Sequence, residues 1–182
     1  MKELWLEKEP SAVYGGKINQ LINLCQLGLS VPKGLILPAD QVMAWLSAAL
    51  PEYSKEGLKE FIKLGKEEIA ERLQHYPLEP AWLQNLADFC QENQAYIVRS
   101  SALLEDGQTM SFAGQYDSIG NCQSLSEIEQ GIRSCLLSLF NPESLAYWQR
   151  QGLPEKDFAM AVLIQEQIEP DFSGVCFSLD VA

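Results

Sequence analysis

Residues 96–121 read YIVRSSALLEDGQTMSFAGQYDSIGN, and the fold turns on how that stretch is read. YIV is an apolar run with the β-branched character of an inner strand. RSSALLEDGQTM reads as a polar loop carrying a cation, hydroxyls and two carboxylates. SFAGQYDSIGN is a second short run, loosened at Gly114 and rich in hydrogen-bonding groups. A buried strand that delivers an arginine into a glycine-containing loop is a common way to hold a cation over an anion. Residue chemistry alone leaves a second reading open. In it the segment is a ladder ending in a surface hairpin, with Arg99 paired to Glu105 or Asp106.

Working outward, helices dominate the first half. Gly15-Gly16-Lys17 opens a helix in which Ile18, Leu21, Ile22 and Cys25 recur at helical spacing, and Gly28 is its expected C-cap. LIL at 35–37 is a short strand behind Pro32 and Gly34. Asp40 is expected to cap the helix that follows, with Val42, Trp45, Leu46 and Leu50 on one side. A charged amphipathic helix is expected over 52–74, with Leu58, Phe61, Ile62, Ile69 and Leu73 inward. Pro80 begins another, with Trp82, Leu83, Leu86, Phe89 and Cys90 inward.

Beyond the organising segment, Ser124 and Ser126 each precede a glutamate by three residues, so either could start a capping box. Ile128, Ile132, Cys135, Leu136 and Leu139 mark that helix's core face. Asn141-Pro142 opens a further short helix. AMAVLIQEQI, from Ala159 on, has the unbroken apolar run of a strand buried on both faces. GVCFSLD, from Gly174, is expected to be a last strand. The outline is α+β, or mixed α/β.

Composition bounds function. The chain has 182 residues and a formal net charge of −12. Such a surface repels nucleic acid and anionic membranes, so neither is expected as a partner. A polyphosphate ligand would need a local basic cluster or Mg²⁺. No window has the ~18 apolar residues of a membrane span. The N-terminus is not a signal peptide, so a cytoplasmic location is expected. The five cysteines are scattered and never form a CxxC pair. That argues against zinc and against a disulfide framework. The single histidine, His75, reads as a surface turn residue.

Several residues could carry chemistry. Two glycines at a helix start expose backbone N–H groups, and Lys17 in the first turn could reach a phosphate there; a solvent lysine is the plainer alternative. The Arg99 guanidinium could grip a phosphate in two places. Gly114 would let an anion approach the backbone. Gln115, Asp117 and Ser118 line the same region. Gln165 places an amide in an apolar strand, either as a partner for a base or as a polar group at a sheet edge.

Four stretches in order carry a family resemblance: VYGGKINQLINLCQLGLSVPKGLIL, IVRSSALLEDGQTMSFAGQYDSIGN, SLFNPESLAYWQRQG and AVLIQEQIEPDFSGVCFSLD. Together they resemble the nucleotide-binding domain shared by phosphoenolpyruvate synthase, pyruvate phosphate dikinase and their relatives, which include rifampicin phosphotransferase and the glucan dikinases. The resemblance implies an ATP-grasp-like fold, with residues 1–155 as its N-terminal subdomain and 156–182 as the first strands of a truncated second one. It implies ATP as ligand and passage of a phosphoryl group to a histidine on a swivelling carrier domain. Carried over by motif, Lys17 and Arg99 are catalytic and phosphate-binding, Gly114 and Ser118 line the phosphate loop, and Gln165 lies near the adenine.

It further implies that the Mg²⁺ ligands, the second subdomain, the phosphohistidine domain and the substrate domain lie elsewhere. No metal ligand is expected in this chain, and turnover by it alone is not expected. The sequence departs from the family at Asp180-Val181-Ala182, where relatives usually continue with Asp-Pro. The alternatives are a free-standing nucleotide-binding or regulatory module without turnover, or a relative that phosphorylates an antibiotic or a glucan.

Overall fold

The computed structural model describes residues 9–51, 65–103, 116–151 and 158–174. Within them, six helices surround one four-stranded sheet. The helices are α1 (Gly15–Gln26), α2 (Ala39–Ala49), α3 (Lys66–His75), α4 (Pro80–Phe89), α5 (Leu125–Ser138) and α6 (Pro142–Gln151). The strands are β1 (Gly34–Leu37), β2 (Tyr96–Ala102), β3 (Ser118–Cys122) and β4 (Met160–Glu166). Their order across the sheet is β1-β4-β2-β3, and every neighbouring pair is antiparallel. This is a mixed α/β fold.

The two faces of the sheet are covered unequally. Along β4, Met160, Val162 and Ile164 point into a large core with Leu35, Leu37 and Val98, roofed by residues of α2, α3, α4 and α5. Ala161 and Leu163 point the other way, into a smaller core with Ile36 and with Ile18 and Ile22 of α1. The alternation follows from the period of two in a strand. It also explains why the β4 sequence is apolar without a break: both faces are buried. Each fully buried Leu, Ile or Val stabilises the fold by about 1.5–3 kcal/mol.

The local signals account for most element ends. α1 closes in a Schellman motif: Gly28, at φ +78, donates to Cys25 O at 2.9 Å, and Leu29 donates to Leu24 O at 3.1 Å. The α5 capping box is built on Ser124 with Glu127, and Ser126 lies inside the helix. Its Ile128, Ile132, Cys135, Leu136 and Leu139 are all buried. Pro80 occupies the first turn of α4.

Several expectations are corrected. The polar loop does not begin at Arg99: β2 continues through Ala102 because Ser100, Ser101 and Ala102 pair with Val162, Ala161 and Met160 of β4. Asp40 does not cap α2, whose N-cap is Pro38; Asp40 lies in the first turn, where its charge suits the helix dipole. Leu83 is on the exposed side of α4. Cys25 and Cys90 are half-buried, whereas Cys122 and Cys135 are buried. β4 itself is hydrogen-bonded between β1 and β2 in this sheet. The expected final strand and the first part of the 52–74 helix lie outside the described residues.

Candidate functional site

The face of the sheet that α1 only partly covers gathers four of the sequence-derived candidates. Arg99 leaves β2 on the α1 side, as Ser101 does two residues on. Gln165 of β4 faces Ile97 directly, which places it diagonally across from Arg99 on that side. Arg99 Nη1 donates to Gln165 Oε1 at 3.2 Å. The other end of the amide, Gln165 Nε2, donates to Pro32 O at 3.0 Å. Gln165 is only 3% exposed. It therefore sits in the interior of the sheet, with both ends of its amide engaged, and steers the guanidinium.

Ser118 reaches this face through a bulge. Tyr96 pairs with Cys122, but Val98 pairs with Ile119, so the ladder slips by one residue between them. Asn121 takes φ +64 at the slip. An extra residue in β3 exchanges the faces of everything beyond it. As a result Ser118 lies opposite Arg99 and shares its side of the sheet. Its side chain is exposed.

Lys17 joins from α1. Its Nζ donates to Ser100 O at 2.7 Å, so the ammonium rests on the peptide carbonyl one residue beyond Arg99. β3 has already ended there, since its last partner on β2 is Arg99. The lysine thus occupies the edge that β3 leaves open. The start of β3 is tied down beside it: Asp117 N–H donates to Ser138 Oγ at 3.2 Å. The Cys135 Sγ lies 3.4 Å from Asp117 O and 3.5 Å from Val98 O. Burial pushes the Cys135 thiol up to about 12; the Asp117 charge adds to the rise and the Lys17 charge opposes it. Cys135 is therefore a protonated core residue at neutral pH, not a nucleophile.

The helix start is pressed against the strand. Gly15 has φ +73, and a Cβ there would stand 2.4 Å from Ser101 O and 2.7 Å from Ala102 O. Only glycine fits so close to another backbone. Ile18 N–H donates to Ser101 Oγ at 3.2 Å. The sequence reading missed these contacts. It carried the two serines only as hydroxyls of a polar loop, and nothing local in Arg-Ser-Ser indicates that the second reaches a helix 83 residues away. Gly114, Glu105 and Asp106 lie outside the described residues. Among the described residues, no three His, Cys, Asp or Glu side chains are grouped to hold a metal ion. None of the described helices is long and apolar enough to cross a membrane.

A helix start, a lysine and an arginine on one face of an α/β sheet are the kind of groups that can hold an anion. The profile of the pyruvate phosphate dikinase AMP/ATP-binding domain matches residues 11–182, and the chain belongs to that family. It is 34% identical over 188 residues to a rifampicin phosphotransferase of Streptomyces sviceus, covering 96% of this chain and 22% of that protein. It is 30% identical over 189 residues to the phosphoenolpyruvate synthases of Neisseria meningitidis serogroup B and of Escherichia coli K12, covering 91% of this chain and 24% of each. The chain thus spans about a quarter or less of these curated relatives.

Proposed function

We propose that this chain is the ATP-binding part of a phosphotransferase of the phosphoenolpyruvate synthase and pyruvate phosphate dikinase type, which passes a phosphoryl group to a histidine on a carrier domain. The observation that carries the reading is the convergence of Lys17 and Arg99. The ammonium rests 2.7 Å from the Ser100 carbonyl, beside the residue that bears the guanidinium. In a chain of net charge −12, two cations anchored to adjacent residues of β2 would make a local basic spot against the global field.

The residues present fit the phosphates of ATP. The α1 N-terminus offers backbone N–H groups and a favourable dipole. Lys17 and Arg99 would neutralise phosphate oxygens, and the Ser118 hydroxyl would add a hydrogen bond from the same face. Gly114 would bring its backbone against the phosphates. ATP supplies the phosphoryl group; the chain's own part is to bind, orient and offset charge. Gln165, given its engaged amide, would hold Arg99 and meet the adenine only by releasing a bond.

An ATP-grasp-like arrangement follows from the same reading, with a second subdomain that completes the site and supplies the acidic Mg²⁺ ligands. Residues 156–182 would supply the first strands of that subdomain, following 1–155. The carrier and substrate domains would belong to the same longer chain or to a separate one, in the cytoplasm. The acceptor is pyruvate or an antibiotic, as relatives named for each chemistry match at similar identity.

The test is phosphorylation of the carrier histidine by labelled ATP in the full-length protein. Lys17→Ala and Arg99→Ala are expected to lower the transfer rate by about a hundredfold or more while the protein stays folded. Unchanged transfer in both would refute the reading.

A further inference from the structure

Three separate contacts join the start of α1 to the end of β2. Lys17 Nζ rests on Ser100 O at 2.7 Å. Ile18 N–H rests on Ser101 Oγ at 3.2 Å. Gly15 lies so close to the Ser101 and Ala102 carbonyls that a Cβ would not fit. Yet α1 has no side-chain cap of its own, since Tyr14 at the N-cap makes none. The hydroxyl that reaches its first turn comes from the strand.

We propose that Ser101 is a positioning residue for Lys17, a hydroxyl on β2 that locks the first turn of α1 at a fixed offset from Arg99. The proposal rests on the ATP-phosphate reading above and extends it to a residue that cannot touch the ligand. Ser101 is 0% exposed, which excludes direct contact with a nucleotide. It shares the sheet face of Arg99 and stands two residues further along the same strand, whose backbone is fixed by pairing with β4. Its hydrogen bond goes to Ile18, the residue after Lys17. The strand therefore sets where the lysine backbone begins, and the Ser100 carbonyl sets where its ammonium ends. Both cations are referred to one rigid element, as pre-organised charge stabilisation requires.

The test is a double-mutant cycle on ATP·Mg²⁺ binding, measured by calorimetry on the full-length protein up to millimolar nucleotide. Ser101→Ala is expected to weaken ATP by about fivefold to tenfold, the scale of losing one helix-start hydrogen bond. In a Lys17→Ala background the same change is expected to weaken it by less than about twofold, because Ser101 acts through the lysine. If Ser101→Ala does not fold, Ser101→Cys preserves the volume, weakens the acceptor and replaces it in the same cycle. A Ser101 variant that lowers Tm without changing ATP affinity overturns the proposal, as does an equal loss in both backgrounds; either result marks a merely structural residue. Lys17→Ala that leaves ATP affinity intact overturns the underlying phosphate reading as well, which separates the two failures.

Discussion

Among the described residues, Arg99 donates to a neutral partner, the Gln165 carbonyl oxygen at 3.2 Å, and the nitrogen of that amide donates to Pro32 O at 3.0 Å. A neutral anchor orients the guanidinium without offsetting its charge. Gln165→Glu would place a carboxylate there and compete with any phosphate. We expect this variant to weaken ATP binding more than Gln165→Ala does, by about tenfold, measured in the full-length protein; equal affinities for the two variants would contradict the assignment. The neighbouring serines should part company. The Ser100 hydroxyl is fully buried and has no hydrogen-bond partner among the described residues. Ser100→Ala removes that unmet group and keeps the carbonyl that holds Lys17. Its effect on stability is expected to lie between neutral and about 1 kcal/mol stabilising, read by urea unfolding. Which residue types could bind an anion was legible in the sequence. Which serine does what was not, because Ser101 is defined by a partner on α1 and Ser100 by lacking one among the described residues.

At the scale of elements, the signals that proved legible were those satisfied locally. Gly28 ends α1 because its own φ and its neighbours' carbonyls make the motif, and Ser124 caps α5 because Glu127 is three residues away. Hydrogen bonds from the Gln123 backbone and from Ser124 hold the Glu127 carboxyl below the usual carboxylate range. A depressed carboxyl pKa stabilises the fold above the ordinary value, and the contribution disappears as pH falls through the folded value. Glu127→Ala is therefore expected to lower the urea midpoint at pH 7, with the difference from the parent protein narrowing as the pH is taken into the acid range. A difference that persists undiminished in acid would contradict the capping role. The signals that misled were those a tertiary partner overrides. RSSA reads as loop by composition, yet β4 supplies a ladder that carries the strand to Ala102. The slip at Asn121 that brings Ser118 to the side of Arg99 has no cue beyond Gly120-Asn121. The join between α1 and β2 is equally invisible locally. Gly15→Ala puts a methyl 2.4 Å from a carbonyl at φ +73, and should destabilise the fold by about 2–4 kcal/mol in urea unfolding. A cost within about 0.5 kcal/mol would show that the helix can retreat.

Across the whole molecule, one face of the sheet carries the large core and the other carries the proposed phosphate site. The large core packs α2, α3, α4 and α5 on the Val98 side, and the Arg133 guanidinium, which donates to Leu73 O and Tyr76 O and lies 5.9 Å from the centre of the Trp45 ring, ties those layers together. The opposite face, among the described residues, is packed chiefly by α1 with Ala39 at the start of α2, and there the charged and polar candidates gather. This division was foreshadowed by the unbroken apolar run of β4, but its central place between β1 and β2 was not, since strand order depends on long-range pairing. With the chain spanning 22–24% of the relatives compared with it, the decisive experiment belongs to the full-length protein. The measurement is the rate at which labelled phosphate passes from ATP to the carrier histidine, compared between the parent protein, Lys17→Ala and Arg99→Ala. The account predicts a loss of about a hundredfold or more in each variant with the fold intact. Transfer at the parental rate in both would contradict it.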